Sequence, residues 1–158
     1  MYYKIINKKK RLATRIGDLI GRMAFPLNLL GRKANRPSFN KVRKILIIRT
    51  AYIGDVVLTL PILSPLKKLF PQAQISFLTT CRAKEILEKN PYIDEIVSYD
   101  AFWFYPSKMG PALLNYLNIL RLIRSRAYDL VIEARGDIRD ISLLAYPSRG
   151  AHRISYDV

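Results

Sequence analysis

The residues best equipped for chemistry stand where an apolar run ends: Arg49, then Gly54 and Asp55, within KILIIRTAYIGDVVLTLP from Lys44 to Pro61. A carboxylate at the mouth of a strand-turn-helix step can take a proton from a hydroxyl, or it can cap the helix by accepting an unpaired amide. Both readings are open on the residues alone. Gly54 permits an unusual backbone angle or the close approach of a ligand. A second group, Arg135, Gly136, Asp137, Ile138 and Arg139, follows another apolar run. Two arginines so placed suit carboxylate or phosphate groups, because each guanidinium offers paired donors in a rigid fork. The competing reading makes Asp137 a helix cap and the arginines ordinary surface charges. Arg49 and Arg82, each at a strand end, are weaker candidates for the same anion-binding task.

These groups need a scaffold that brings strand ends together. Ile45, Leu46, Ile47 and Ile48 show no polar alternation, as expected of a strand covered on both faces of a parallel sheet. The pattern predicts strands at about 44–49, 74–79, 95–99 and 129–134, alternating with helices at about 55–69, 82–89, 111–126 and 137–146. Pro61 and Pro65 lie inside the first helical pattern, where each lacks an amide donor and crowds the carbonyl four residues back, so a kink or break is expected. Leu113, Leu117, Leu120 and Ile123 mark one apolar face of the third helix, with Arg121, Arg124 and Arg126 loading its last turns. Repeated β-α units of this length predict an α/β fold: a Rossmann-like parallel sheet with flanking helices. In such sheets ligands gather at the carboxyl ends of the strands.

Composition narrows the chemistry. A chain of 158 residues suits one domain with a real core. The single cysteine, Cys81, excludes an internal disulfide, and it reads as a small residue at a strand end. The single histidine, His152, has no partner for a two-histidine metal site and reads as structural or incidental. No G-x-G-x-x-G fingerprint or P-loop occurs, which removes the main support for dinucleotide oxidoreductases and nucleotide hydrolases. No Asp-x-Asp pair occurs either, so a metal-bridged sugar diphosphate would lack its usual carboxylates.

The net charge of +15 is concentrated in residues 1–43 and the adjoining Lys44, where thirteen basic residues face the single acid Asp18. In this leader Leu19, Ile20, Met23, Phe25, Leu27, Leu29 and Leu30 are interleaved with Arg15, Arg22 and Arg32. That pattern suits an interfacial segment on anionic lipid, where each Lys or Arg near the surface contributes about 1 kcal/mol. A flexible or core-packing extension is the alternative. The longest uncharged stretch falls far short of the roughly 20 residues needed to span a bilayer. Phe102, Trp103, Phe104 and Tyr105 suggest a lid, a sugar platform or a membrane contact, against the plainer reading of a packed loop edge.

A resemblance runs through the folded part. The Gly54-Asp55 step, Phe70-Pro71 with the strand Ile75 to Thr79, Asn90 to Ile96, Tyr128 to Glu133, Arg135 to Arg139 and Arg153 to Tyr156 together resemble the N-terminal half of family 9 glycosyltransferases, the group that includes the ADP-heptose:lipopolysaccharide heptosyltransferases. The likeness covers about residues 43–158, and spacing across six blocks is more specific than any one of them.

The resemblance implies an inverting, metal-independent sugar transfer with no cofactor. The enzyme would be a two-domain GT-B-type protein, with residues 44–158 as its acceptor-binding domain. The aspartate of the family's step, the proposed catalytic base, falls on Asp55. Its partners would be a nucleotide-sugar such as ADP-heptose, held mainly by a second domain this chain does not contain, and an anionic lipopolysaccharide-core acceptor. Many relatives carry Gln-Gly where Arg135-Gly136 stand. The expected location is the cytoplasmic face of a bacterial inner membrane, with residues 1–43 on its anionic surface, and the chain alone is expected to be inactive. The alternative is a non-catalytic module for anionic lipid or glycan. A nucleic-acid partner is not expected, because no recognition motif accompanies the charge.

Overall fold

A computed structural model describes residues 41–50, 52–103 and 109–155. The membrane reading of the basic leader therefore falls almost wholly outside the described residues, as do Phe104, Tyr105 and Tyr156. Strand β1, Lys44–Arg49, leads into helix α1, Ile53–Thr59. A 3-10 turn, Leu60–Ile62, follows, and helix α2 occupies Leu63–Leu69. The expected proline break is thus real, with Pro61 in the first positions of the 3-10 turn, where its missing amide removes no bond.

Strand β2 is Gln74–Thr79, a 3-10 turn Cys81–Ala83 opens helix α3, Lys84–Leu87, and strand β3 is Glu95–Ser98. Helix α4 spans Met109–Arg126 and strand β4 Leu130–Glu133. A short helix α5, Ile138–Asp140, passes into a π-helical turn, Ile141–Ala145, and strand β5 is His152–Ile154. The sequence pattern had marked neither the π turn nor β5.

The sheet is wholly parallel in the order β3-β2-β1-β4-β5. The chain winds from β1 outward to β3, then returns across the sheet to place β4 on the other side of β1. Helices consequently fall on opposite faces. Ile45 and Ile47 of β1 pack with Val56, Leu63 and Leu87 of α1, α2 and α3, while Leu46 and Ile48 pack with Ile123 of α4 and Leu144 of the π turn. All four β1 residues are fully buried, which is why the strand needs no polar alternation.

The stripe predicted on α4 is only half engaged. Leu120 and Ile123 are buried, but Leu113 and Leu117 are exposed, because the helix meets the sheet only over its later turns. Its basic end is tied down: Arg124 Nε donates to the Pro147 carbonyl and Arg126 pairs with Glu95 at 2.6 Å.

Two aspartates hold the opposite, amino end of the sheet. Asp129 Oδ2 accepts the amides of Arg43 and Lys44 at 2.8 and 2.9 Å, and Asp94 Oδ2 accepts the Ile75 amide at 2.7 Å and Lys67 Nζ at 2.9 Å. Each stands just before one strand and bonds the start of its neighbour, satisfying amides that the ladder leaves open. Burial alone would raise the Asp94 carboxyl, but the Ile75 amide and Lys67 outweigh it and hold it below the usual range. A depressed folded value stabilises the fold above the unfolded carboxyl's range, and that contribution is lost as pH falls through the folded value. Asp94→Asn is accordingly expected to melt below the parent at pH 7 and to converge with it under acid. A constant gap in melting temperature down to strongly acid pH would remove this role.

Candidate functional site at the strand-order switch

Where strand order reverses, the connections leaving β1 and β4 diverge and open a crevice at their carboxyl ends. Both candidate groups lie there. Asp55 occupies the first turn of α1, at its third residue. It is not the cap: the capping position is Tyr52, and no side chain caps this helix. Its side chain is 35% exposed and its Oδ1 lies 3.5 Å from Arg49 Nη2. Arg49 Nη1 donates to the Ala134 carbonyl at 2.5 Å, so one guanidinium joins the end of β1, the start of α1 and the connection after β4. Arg49 is thereby placed to orient Asp55.

The second group is reorganised more strongly. Asp137 accepts the Arg139 amide as a helix cap, and also grips the Arg139 guanidinium with both oxygens, at 2.9 Å to Nε and 2.7 Å to Nη2. Arg135 Nη1 lies 3.4 Å from the same carboxylate. Burial would raise Asp137, but the two arginines, Arg139 foremost, and the amide hold it below the usual carboxylate range. Two arginines expected to hold a substrate's anions are thus engaged first by Asp137. The capping role is what the side chains adopt, although both guanidiniums are mostly buried rather than loose surface charges.

Gly136 has φ 75°, a left-handed value that favours glycine, and this turn brings its amide 2.7 Å from Glu133 Oε2. The unusual backbone angle expected at Gly54 is not adopted. Gly54 is helical and exposed, and an added Cβ would meet nothing within 4 Å. No backbone strain or neighbouring atom demands glycine there. Arg82 is exposed on the turn after β2, and that turn packs against helix α1, on the side of β1 away from β4.

Two buried acids complete the site. Glu133, at the end of β4 and 1% exposed, accepts the Arg135 and Gly136 amides and the Ser155 hydroxyl. Burial pushes its carboxyl up against those bonds. Asp140 is fully buried beneath the crevice. Glu133 had a signal in the sequence, a charge closing an apolar strand, whereas Asp140 looked like any helical aspartate. A cleft of about 450 Å³ runs from Arg49, Glu133 and Ser155 along apolar walls that include Leu58, Ile62, Leu66 and Ile132.

Of the aromatic cluster only Phe102 and Trp103 are described: Trp103 is buried, with edge-to-face contacts to Tyr99, Phe102 and Tyr116. Among the described residues no group of three or more His, Cys, Asp or Glu is placed to hold a metal ion. No described helix is long and apolar enough to cross a membrane.

No family model matches the chain. It is 30% identical over 79 residues to lipopolysaccharide heptosyltransferase 3 of Escherichia coli, and 33% identical over 85 residues to the protein of that name from strain K12. Those segments cover 50% and 51% of this chain. Among solved structures, a family 9 glycosyl transferase from Veillonella parvula DSM 2008 matches 72% of the chain with a TM-score of 0.61 at 24% identity. The chain resembles glycosyltransferase family 9.

E. coli heptosyltransferase WaaC with ADP shares the same fold, with a TM-score of 0.64 at 19% identity over 72% of the chain. The expected fold class, a Rossmann-like parallel sheet with flanking helices as in GT-B-type glycosyltransferases of family 9, stands. This family 9-like chain spans 22–23% of the length of the curated relatives it matches, and 32% and 36% of the two solved chains.

Proposed function

We propose that the chain is the acceptor-binding part of a heptosyltransferase-like glycosyltransferase. Such an enzyme moves a sugar, heptose by this reading, from a nucleotide-sugar to a lipopolysaccharide-core acceptor. The observation that carries it is Asp55, a partly exposed carboxylate oriented by Arg49 at the switch crevice of a chain similar to heptosyltransferases.

In this mechanism Asp55 takes the proton from the acceptor hydroxyl as its oxygen attacks the anomeric carbon. The bond from that carbon to the nucleotide diphosphate breaks with inversion, and the diphosphate departs with the electron pair. Arg49, fixed on the Ala134 carbonyl, aims the carboxylate. The apolar cleft beside Glu133 excludes water from one side of the acceptor. No step asks for a metal. A further domain would hold the donor, so this chain by itself binds acceptor without turnover.

Vesicle sedimentation tests the binding claims. The 158-residue chain is expected to pellet with anionic vesicles through its basic leader, and with neutral vesicles carrying lipopolysaccharide core through the crevice. Free core oligosaccharide should compete only with the second. Pelleting on core vesicles that the free oligosaccharide leaves unchanged would sink the acceptor reading, and indifference to anionic lipid would sink the inner-membrane location.

A further inference from the structure

Asp140 is a carboxyl near the crevice that the transfer mechanism leaves unused, and it is fully buried. Its two oxygens are divided between distant parts of the chain. Thr50 Oγ1, directly after β1, donates to Oδ2 at 2.6 Å, and Trp103 Nε1, in the turn after β3, donates to Oδ1 at 3.1 Å. Those partners are 90 and 37 residues away, and both are themselves buried. A buried carboxyl is a poor device for stability alone, since apolar replacement of such groups is often neutral or favourable. Its directional bonds are what a hydrocarbon cannot supply.

We propose that Asp140 is a positioning residue: one buried carboxyl that fastens the β1 to α1 connection, which leads into the helix turn bearing Asp55, to the aromatic turn after β3. This role rests on the transferase reading for its effect on turnover, but not for its effect on Trp103. The clasp tolerates either protonation state. As a carboxylate Asp140 accepts from both partners. With a proton on Oδ2, the Thr50 bond reverses, which a hydroxyl allows, while the indole donor stays on Oδ1. What changes is the charge beneath the crevice.

Around it stand Glu133 at the end of β4, Arg135 and Asp137 from the connection that follows, and Tyr99 with Trp103 from the connection after β3. Burial foremost, opposed by the Thr50 bond and reinforced by Asp137 and Glu133, pushes Asp140 up to about 7. The clasp therefore changes charge near neutral pH. Folded Asp140 binds its proton more tightly than the unfolded carboxyl, so its contribution to stability falls as pH rises between the carboxyl's ordinary value of 3.8 and about 7.

The chain has one tryptophan, so its emission reports this position directly. Fluorescence of the intact chain is followed from about pH 5 to 9, around the reference range for titration near neutrality. The expected result is one transition centred at about 7. It should be absent in Asp140→Asn, whose amide still accepts from the indole, and displaced to higher pH in Thr50→Val, which loses the bond that pulls the value down. A flat parent, a transition that survives in Asp140→Asn and so belongs to another group, or an unmoved midpoint in Thr50→Val would each overturn the proposal. Thr50→Val keeps the test decisive if Asp140→Asn does not fold. None of these outcomes depends on sugar transfer, so the clasp and the transferase reading fail separately.

Discussion

Asp55→Asn, introduced into the longer transferase that the proposed function requires, is expected to lower kcat by about 10²–10⁴-fold while leaving acceptor KM and thermal unfolding close to the parent. The asparagine keeps the size and one acceptor oxygen of the aspartate but cannot take a proton. Its ion pair with Arg49 is partly exposed, and pairs of that kind contribute about 0–1 kcal/mol. Loss of the pair alone would therefore be nearly silent in a melting curve. A loss of turnover without a loss of stability separates chemistry from folding. Sugar-transfer kinetics with the nucleotide-sugar and acceptor decide it: if the variant keeps more than about a tenth of the parent rate, below the range for a general base, Asp55 is not the base.

Phe77→Ala is expected to cost about 3–5 kcal/mol, a large share of the roughly 5–15 kcal/mol that holds a domain together. Phe77 is fully buried in β2, in register with Ile47 of β1 and Ile96 of β3, on the face covered by α1, α2 and α3. Truncation removes the ring and leaves a cavity that two paired strands cannot readily close. Phe77→Leu should cost less, because more of the volume is retained. Urea denaturation with matched m-values is the measurement. A loss below about 1 kcal/mol for the alanine variant would mean that this side of the core collapses freely around the gap.

The two predictions probe different layers, and the layers were unequally legible. The first three strands were readable almost to the residue. Ile45 to Ile48 and Ile75 to Leu78 are covered on both faces, and such burial writes itself as an apolar run, broken in the second only by Ser76. The break at Pro61 was equally plain, since a missing amide is a local fact. Strand β5 was not, because three residues, two of them His152 and Arg153, carry too little pattern to announce a strand. It exists because β4 offers it a partner. The exposed Leu113 and Leu117 show the converse, a helical stripe whose period was correct but whose neighbour covers only part of it.

At the site, the sequence by itself determined which residues would stand at or just beyond the carboxyl ends of strands: Arg49, Asp55 and the Arg135 to Arg139 segment. That follows from hydrophobic period and turn chemistry, both local properties. Only the tertiary structure decided which of them meet. Arg49 reaches Ala134 across 85 residues and Thr50 reaches Asp140 across 90, because the reversal of strand order sets β4 beside β1. It also decided that Arg139 is taken by Asp137 and that Gly54 faces open space. The physical reason is that periodicity records only whether a side chain is buried. Which donor finds which acceptor depends on strand order, and strand order is set by packing between segments far apart in the chain.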